Sequence, residues 1–452
     1  MRSILLPTLA AWLARVLAIA LNIIGLPLAL RALGQERFGL FLVVLSIGSW
    51  IGFANVGMGR VVASIITRTA GRSPALTARL ISMATALAAG INLALFLGAS
   101  TLFLAVMATV PLNEAIAHHR IEFEISIVSL FLAMSLWFFL SVFEGIDAGH
   151  HQLQRLYYFQ LGSYALSLVL LFVVFPRYPS IALAAYLLNL SFLLGSIAHG
   201  IDVARRNRHL LVRHFGWHRQ AVRLLLLSTL DFTVISLGIG ILYQLSTGLF
   251  GFVFGPDKVI ELGVLMRLMQ SYGALLIAFT FPLTNVIASR LAARDGDGAR
   301  HAARISGFLL LGGALVASLG ALLFANGLLA LWLHAGIRFT PPFLVATSLL
   351  ILLSSLHFYL AALLMGGSDT KRAARIHLAE AALFLPIAFA SFHAAGQTGL
   401  LIALDTVLAG GCIAMALRLR RHPVLGSLAG ARPAITARPA SAMGGSVGAD
   451  GP

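Results

Sequence analysis

Three arginines stand inside long apolar stretches, where a charged side chain is costly. Arg15, Arg60 and Arg267 all have mainly apolar neighbours, and a charge at the centre of a membrane helix costs about 2.5 to 3.5 kcal/mol. A guanidinium group offers a rigid fork of donors that matches phosphate oxygens, and it stays charged in a dry cavity. These residues predict recognition of an anion, most strongly at Arg267. The alternatives are an interhelical ion pair or hydrogen bond for Arg267, a side chain that extends to the membrane surface for Arg15, and a positive-inside anchor for Arg60.

Amide side chains and one acid extend this candidate site. Asn22, Asn55 and Gln270 lie in apolar stretches, where amides either line a cavity and bind sugar hydroxyls or join neighbouring helices by hydrogen bonds. Asp231 lies well inside another apolar stretch. A carboxylate there either carries a coupling proton or ion, or balances the charge of a cavity arginine.

The elements that must position these residues are membrane-spanning helices. The chain has 452 residues, of which 59% are hydrophobic and only 11% are charged. Because backbone polar groups in lipid must pair within their own segment, the apolar stretches predict an all-α polytopic membrane protein. Twelve spans are predicted, at about 1–33, 38–67, 75–109, 121–146, 156–175, 180–203, 221–254, 258–289, 302–333, 342–366, 373–395 and 398–419.

The distribution of basic residues predicts the orientation. Roughly 24 of the 32 lysines and arginines fall in loops on one side of the predicted spans, and such loops stay in the cytoplasm. Both termini are therefore predicted to be cytoplasmic. The high pI of about 11.3 then reflects loops that face anionic lipid headgroups, and no nucleic-acid partner is predicted.

An internal repeat divides the chain into two halves. The stretch ALGQERFGLF recurs as VFGPDKVIEL, which pairs Gly34 with Gly255 at an offset of 221 positions. At the same offset, FFLSVFEGIDAGHHQLQR matches FYLAALLMGGSDTKRAAR, which pairs Gly145 with Gly366. Two halves of six spans each predict two bundles related by an axis along the membrane normal, with substrate bound between them. The predicted organisation is an N-terminal bundle at 1–204, a basic linker at 205–220, a C-terminal bundle at 221–422 and a disordered tail at 423–452.

The stretch ALGQERFGLFLVVLSIGSWIGFANVGMGR resembles the multidrug, oligosaccharidyl-lipid and polysaccharide exporter superfamily, most closely its Wzx-like oligosaccharide flippases. Their first outer loop commonly reads Leu-Gly-Pro-Glu-x-Tyr-Gly. In this chain Gln35 stands for the Pro and Phe38 for the Tyr, while Gly57, Gly59 and Arg60 occupy a following glycine-rich run. The second copy, FGPDKV, keeps the Gly-Pro pair.

The resemblance implies a flippase that moves an undecaprenyl-pyrophosphate-linked oligosaccharide across a bacterial cytoplasmic membrane by alternating access. It also implies membrane lipids, a polysaccharide polymerase and glycosyltransferases as partners. Relatives often place an Asp shortly before the second-copy loop, where this chain has Ser246. Either Asp231 takes over any such coupling role, or coupling works in another way. The alternative is a cation-coupled multidrug exporter of the same fold, for which an acidic cavity is expected.

Enzymatic chemistry is not predicted. The sequence has no nucleophile elbow and no P-loop pattern, and its single cysteine, Cys412, cannot form an intrachain disulfide. No cofactor and no metal site are predicted. Glu36 and Arg37 are expected to be solvated turn residues. Four further acids are expected to pair with nearby arginines, namely Glu144, Asp147, Glu380 and Asp405.

Overall fold

The computed structural model describes residues 2–53, 58–69, 73–150, 152, 154–211, 219–333, 337–367, 369–422 and 425, which form helices and contain no β-strand. The first half consists of α1 (Arg2–Phe53), α2 (Met58–Thr69), α3 (Pro74–Thr109), α4 (Glu114–His118), α5 (Arg120–Gly149), α6 (Gln154–Val173), α7 (Ile181–Asn189) and α8 (Leu193–Arg206), with a 3-10 turn at Arg208–Leu210. The second half consists of α9 (Arg219–Gly240), a π-helical segment (Ile241–Leu245), α10 (Ser246–Phe254), a 3-10 turn (Pro256–Val259), α11 (Ile260–Ala292), α12 (Gly296–Leu333), α13 (Pro341–Gly366) and α14 (Thr370–Arg420). The predicted linker lies partly outside the described residues, and the predicted tail lies almost wholly outside them.

The helices confirm an all-α polytopic membrane fold. Eight of them are long and apolar enough to cross a membrane, and two bent pairs raise the number to ten. The pairs are α7 with α8, bent by 57°, and the end of α9 with α10, bent by 46°. Non-helical residues divide α1 at Gly34 and α14 at Ala395 and Gly396. The breaks at Gly34 and at Ala395 and Gly396 fall where the sequence prediction divides the span 1–33 from 38–67 and the span 373–395 from 398–419.

The internal repeat has a structural counterpart at both of its matched glycine pairs. Gly34 and Gly255 both have positive φ angles, 74° and 111°, which glycine adopts without the steric cost of a Cβ. A Cβ on Gly145 would overlap the backbone of α2, and one on Gly366 would lie 3.0 Å from the carbonyl oxygen of Thr284 on α11. Each of these glycines lies where the fourth span of its bundle crosses the second.

The two bundles meet along a strip of small residues, which we call the glycine seam. It joins the second half of α1 to α10 and the start of α11, and its glycines are Gly39, Gly248, Gly251 and Gly263. Ser46 on α1 fixes the register of this contact. Its hydroxyl accepts a 2.8 Å hydrogen bond from the backbone N–H of Gly248 and donates to the carbonyl of Gln244. The seam therefore holds helix backbones from both bundles in direct contact.

The turn at Gly34 contradicts one prediction. Arg37 is not a solvated turn residue, because its guanidinium forms a bidentate pair with Glu122 at 2.5 and 3.2 Å and donates to the carbonyl of Pro179 at 3.1 Å. Glu122 in turn accepts a 2.9 Å hydrogen bond from the backbone N–H of Ile181. Arg37 thus ties α1 to α5 and to the start of α7. Glu36 is exposed, as expected.

One helix stands at the periphery of the C-terminal bundle. Only 11% of the most apolar window of α12 is buried, and its exposed side chains are large and apolar, including Phe308, Val316 and Leu331. Such a surface is stable where it faces lipid chains.

Candidate functional site

A cavity of about 420 Å³ lies between the bundles and brings four of the predicted site residues together. Arg15 and Asn22 reach it from the first half of α1, and Arg267 and Gln270 reach it from α11. Because α1 belongs to the N-terminal bundle and α11 to the C-terminal bundle, the cavity spans the boundary at which the repeat predicts substrate to bind. The structure thus places these four residues in one site.

Arg267 is held by uncharged acceptors from both bundles. Its Nε donates to Asn22 Oδ1 at 3.0 Å, and its Nη2 donates to the carbonyl oxygen of Leu188 at 3.0 Å. Its Nη1 donates to Asn189 Oδ1 at 3.1 Å and to Gln270 Oε1 at 2.5 Å. The side chain is only 7% exposed. The guanidinium is therefore oriented by hydrogen bonds, but no carboxylate among the described residues neutralises it.

Two of these acceptors come from a break in the sixth span. The sequence predicts one continuous span over 180–203, whereas the structure bends by 57° between Asn189 and Leu193. At a helix end, the last carbonyls have no partner within the helix, so the carbonyl of Leu188 is free to accept from Arg267. Sequence reasoning missed Asn189. The polar residues Asn189 and Ser191 within an otherwise apolar stretch are the signal that could have identified it.

Part of the cavity wall is formed by α6, whose contribution the sequence did not reveal. Tyr157, Gln160 and Tyr164 line the cavity there, and offer hydroxyl and amide groups to a ligand. Tyr164 lies within electrostatic range of both Arg15 and Glu144. The Oε1 atom of Glu144 is buried and has no hydrogen-bond partner among the described residues, and the salt bridges of the described residues do not include the arginine pair that was expected for this acid.

The cavity lining is positively charged. Arg15 and Arg267 line it, and the described lining residues include no Asp and no Glu. No salt bridge joins either arginine to an acid in the part of the chain that the structure describes. An arginine that no acid neutralises attracts an anion, and a low-dielectric environment strengthens that attraction.

An apolar groove adjoins the cavity. It has a volume of about 400 Å³ and lies between α11 and α12, where Phe279, Leu310 and Ala314 line it. Leu275 belongs to both the groove and the cavity. The charged cavity and the apolar groove therefore lie on neighbouring faces of α11 and adjoin at Leu275.

Three predicted site residues lie outside the parts that the structure describes. Asn55 is in an undescribed segment, and the backbones of Arg60 and Asp231 are described but their side chains are not. Their predicted roles in substrate binding, and in coupling or charge balance for Asp231, remain predictions.

The remaining acids divide into three kinds of environment. Asp147 pairs with Arg206 at 3.3 Å, as expected, and also with His199 at 2.9 Å. Glu380 was expected to pair with an arginine, but its described partners are histidines. Asp405 is 4% exposed, and neither of its carboxyl oxygens has a hydrogen-bond partner among the described residues.

Comparison with solved structures identifies the architecture. An inward-facing multidrug resistance MATE family transporter of the MOP superfamily matches with a TM-score of 0.67 at 14% identity, covering 89% of this chain and 98% of that one. The eukaryotic MATE transporter AtDTX14 matches with a TM-score of 0.68 at 15% identity, covering 94% and 97%. The chain has the MATE transporter fold. The sequence itself matches no protein-family model and no curated protein.

A third match bears on the chemistry of MATE-fold cavities. A MOP superfamily transporter from Pyrococcus furiosus matches with a TM-score of 0.62 at 14% identity, covering 92% of this chain and 95% of that one. For that protein, a reverse polarity of the binding pocket is described as suggesting a different function. Identities this low establish the fold alone, so the cargo of this MATE-fold chain must be argued from its own residues.

Proposed function

We propose that this MATE-fold protein is a flippase for a lipid-linked oligosaccharide with an anionic pyrophosphate headgroup, which it moves from the inner to the outer leaflet of a bacterial cytoplasmic membrane. The observation that carries the proposal is the cavity itself, where Arg267 and Arg15 stand without a carboxylate among the described lining residues. The guanidinium of Arg267 binds a phosphate oxygen as a charge-assisted donor, which is stronger than its present bonds to amide and carbonyl oxygens. The cavity therefore favours an anionic cargo.

The groove beside the cavity supports a lipid as that cargo. An undecaprenyl chain needs an apolar path outside the polar cavity, and the α11–α12 groove begins at Leu275, which also lines the cavity. A pyrophosphate at Arg267 and an isoprenoid chain in the groove would occupy two adjoining surfaces of one helix. Sugar hydroxyls would meet Gln160, Tyr157 and Gln270 on the cavity walls.

The bonds of Arg267 also suggest how cargo would drive the cycle. Arg267 belongs to the C-terminal bundle and donates to Asn22, Leu188 and Asn189 of the N-terminal bundle. A bound phosphate would compete for the same donor hydrogens and weaken this link between the bundles. Because a ligand shifts a conformational equilibrium only through different interactions with its two states, this competition couples headgroup binding to bundle rearrangement.

The second candidate is a cation-coupled multidrug exporter of the same fold. It is favoured by the multidrug resistance transporter among the matched structures. A cavity for cationic drugs needs negative charge, and Arg15 and Arg267 supply the opposite sign. Asp231 or Glu144 would have to provide that charge from outside the described lining. The flippase therefore explains the positive charge of the cavity without requiring an acid from outside its described lining.

A genetic complementation experiment separates the two functions. In a strain that lacks the gene, we expect lipid-linked glycan to accumulate on the inner leaflet and surface glycan to be lost, with unchanged resistance to cationic drugs. Wild-type protein should restore surface glycan, and Arg267→Ala should not. Losing about 3 kcal/mol of charge-assisted binding corresponds to a fall in transport rate of roughly 100-fold.

The control is Arg120→Ala, because Arg120 is exposed and, among the described residues, its ion-pair partner is Glu124 at the start of α5. It should complement like the wild type, with equal membrane abundance of all three proteins. If the strain with Arg267→Ala has full surface glycan, Arg267 is not part of the substrate-binding site. Altered drug resistance without any change in glycan would refute the flippase and favour the exporter.

A further inference from the structure

A second cluster of ionisable side chains lies within the C-terminal bundle, apart from the residues that line the cavity. His357 of α13 and His377 and Glu380 of α14 converge there, and all three are at most 3% exposed. Glu380 Oε1 is 2.8 Å from His357 Nε2, and Glu380 Oε2 is 2.9 Å from His377 Nδ1. We call these three residues the His–Glu triad.

The burial of the triad requires a compensating positive charge whenever Glu380 is ionised. An ionised carboxylate in a membrane bundle is costly unless it is paired or coordinates a cation. In the described part of the chain, the only ion-pair partners of Glu380 are the imidazoles of His357 and His377. Its charge is therefore balanced either by protons on these rings or by a cation held between the three side chains.

The donor set is one that transition metals use. Two imidazole nitrogens and one carboxylate form the His₂Glu ligand set of open zinc sites, which leaves a fourth position for water. Imidazole donors favour Zn²⁺ and Co²⁺ over Mg²⁺ or Ca²⁺, which prefer oxygen donors. The triad thus differs in its chemistry from a cluster of carboxylates, which binds hard cations.

The geometry is close to that of an occupied site. One donor atom from each residue lies within 4.8 Å of the others. A zinc ion with bonds of about 2.1 Å holds tetrahedral donors about 3.4 Å apart. Side-chain rotations that move the donors by roughly 1 Å would therefore complete the coordination.

Two glycines on adjoining helices leave room for the triad. A Cβ on Gly411 of α14 would overlap Glu380 Oε1, and a Cβ on Gly238 of α9 would lie 2.9 Å from His377 Cβ. A residue with a side chain at either glycine position would therefore displace Glu380 or His377. The close approach of these helices keeps the three side chains near one another before any ion arrives, which lowers the cost of binding.

We infer that His357, His377 and Glu380 form a buried binding site for one divalent transition-metal cation of the zinc class, which ties α13 to α14. The coordinating nitrogens must be unprotonated in the occupied site, so binding releases protons and weakens as the pH falls. This site was not predicted from the sequence. The only local signal was the spacing of His377 and Glu380, which places them on one face of α14. The inference is independent of the proposed cargo.

The test is a metal titration of the full chain, purified in detergent without a polyhistidine tag and stripped with a chelator. We expect one Co²⁺ per chain with the visible absorption of a tetrahedral site, displacement of Co²⁺ by Zn²⁺, and a higher melting temperature with Zn²⁺ but not with Mg²⁺. Glu380→Gln and His377→Gln should each weaken Co²⁺ binding by at least about tenfold. His118→Gln, which alters an exposed histidine, should bind like the wild type.

Two outcomes would overturn the inference. If the wild-type chain shows no Co²⁺ absorption and no Zn²⁺-dependent stabilisation, the triad is a proton-sharing network, and this result does not depend on any variant being folded. If both triad variants bind Co²⁺ as tightly as the wild type, the ion is bound elsewhere. Should Glu380→Gln fail to fold, the wild-type titration and His377→Gln still decide between these results.

Discussion

Enlarging one glycine of the seam should shift the balance between the conformations of the two bundles. A Cβ on Gly248 would lie 3.0 Å from Ile47 Cγ1, 3.0 Å from Ser46 Oγ and 3.2 Å from Ile47 N, all on the second half of α1. Gly248→Val would add that carbon and two methyl groups to a contact that is already tight. The backbone nitrogen cannot move away by a side-chain rotation, so the bundles themselves must separate.

The size of the shift follows from the cost of overpacking, which is about 1 to 3 kcal/mol for added methylenes in a well-packed contact. This cost applies only while the seam is closed. We therefore expect the equilibrium constant for opening the seam to rise by about 5- to 150-fold. Gly312→Val on α12 is the matched control, because nothing lies within 4 Å of a Cβ at Gly312.

The separation can be measured as a distance between two spin labels. Gln35 and Asp257 are exposed and stand beside the two copies of the glycine turn, so cysteines at these positions can be labelled after Cys412→Ser removes the native thiol. Double electron–electron resonance should show a larger long-distance population in Gly248→Val than in the wild type or in Gly312→Val. Identical distance distributions in all three folded proteins would refute the claim that the seam is a moving contact.

Three smaller predictions concern the stability of the fold. Gly145→Ala should lower the free energy of unfolding by about 1 to 3 kcal/mol, because its Cβ would overlap the α2 backbone. Gly90→Ala, whose Cβ would have nothing within 4 Å, should instead raise the free energy of unfolding by about 0.5 to 1 kcal/mol. Denaturant unfolding in micelles measures both values, and equal effects of the two substitutions would contradict the close packing at Gly145. A double-mutant cycle on Arg37 and Glu122, whose side chains are each 26% exposed, should give a coupling of about 0.5 to 1.5 kcal/mol, and a coupling near zero would mean that the pair does not hold α1 to α5. A hydrogen bond from a backbone amide in the first turn of α12 lowers the pKa of the Asp295 carboxyl. The ionised Asp295 carboxylate therefore stabilises the α11–α12 loop at neutral pH, and this stabilisation is lost as the pH falls through the lowered pKa. Limited proteolysis of the loop should become faster as the pH falls through that pKa, and Asp295→Asn should abolish this pH dependence.

Much of the fold could be predicted because its signals are local or repeated. Apolar length predicts each span, and the offset of 221 positions correctly paired Gly34 with Gly255, both of which adopt positive φ. The bends were not predictable in the same way. Leu190 and Phe192 at the break in the sixth span alternate with the polar residues Asn189 and Ser191, but this pattern does not by itself specify a bend or reveal that the Leu188 carbonyl accepts a hydrogen bond from Arg267.

The candidate site was predictable to the extent that a charge in an apolar stretch needs a partner. This argument identified Arg267 and Arg15, and the structure places both in one cavity with Asn22 and Gln270. It gave the wrong environment for Glu380, because the expectation considered arginines and not histidines from another helix. Which residues of two helices face each other depends on how each helix is rotated, and residue spacing within one helix does not contain that information.

The carbonyl of Leu188 gives the cavity an acceptor that substitution cannot delete. Every amino acid at this position supplies the same backbone oxygen, provided that the bend between α7 and α8 is kept. Over evolutionary time, side chains such as Asn22, Asn189 and Gln270 can therefore change with the cargo while Arg267 keeps one fixed anchor. A population of variants could therefore alter the polar lining of the cavity without first losing the orientation of Arg267.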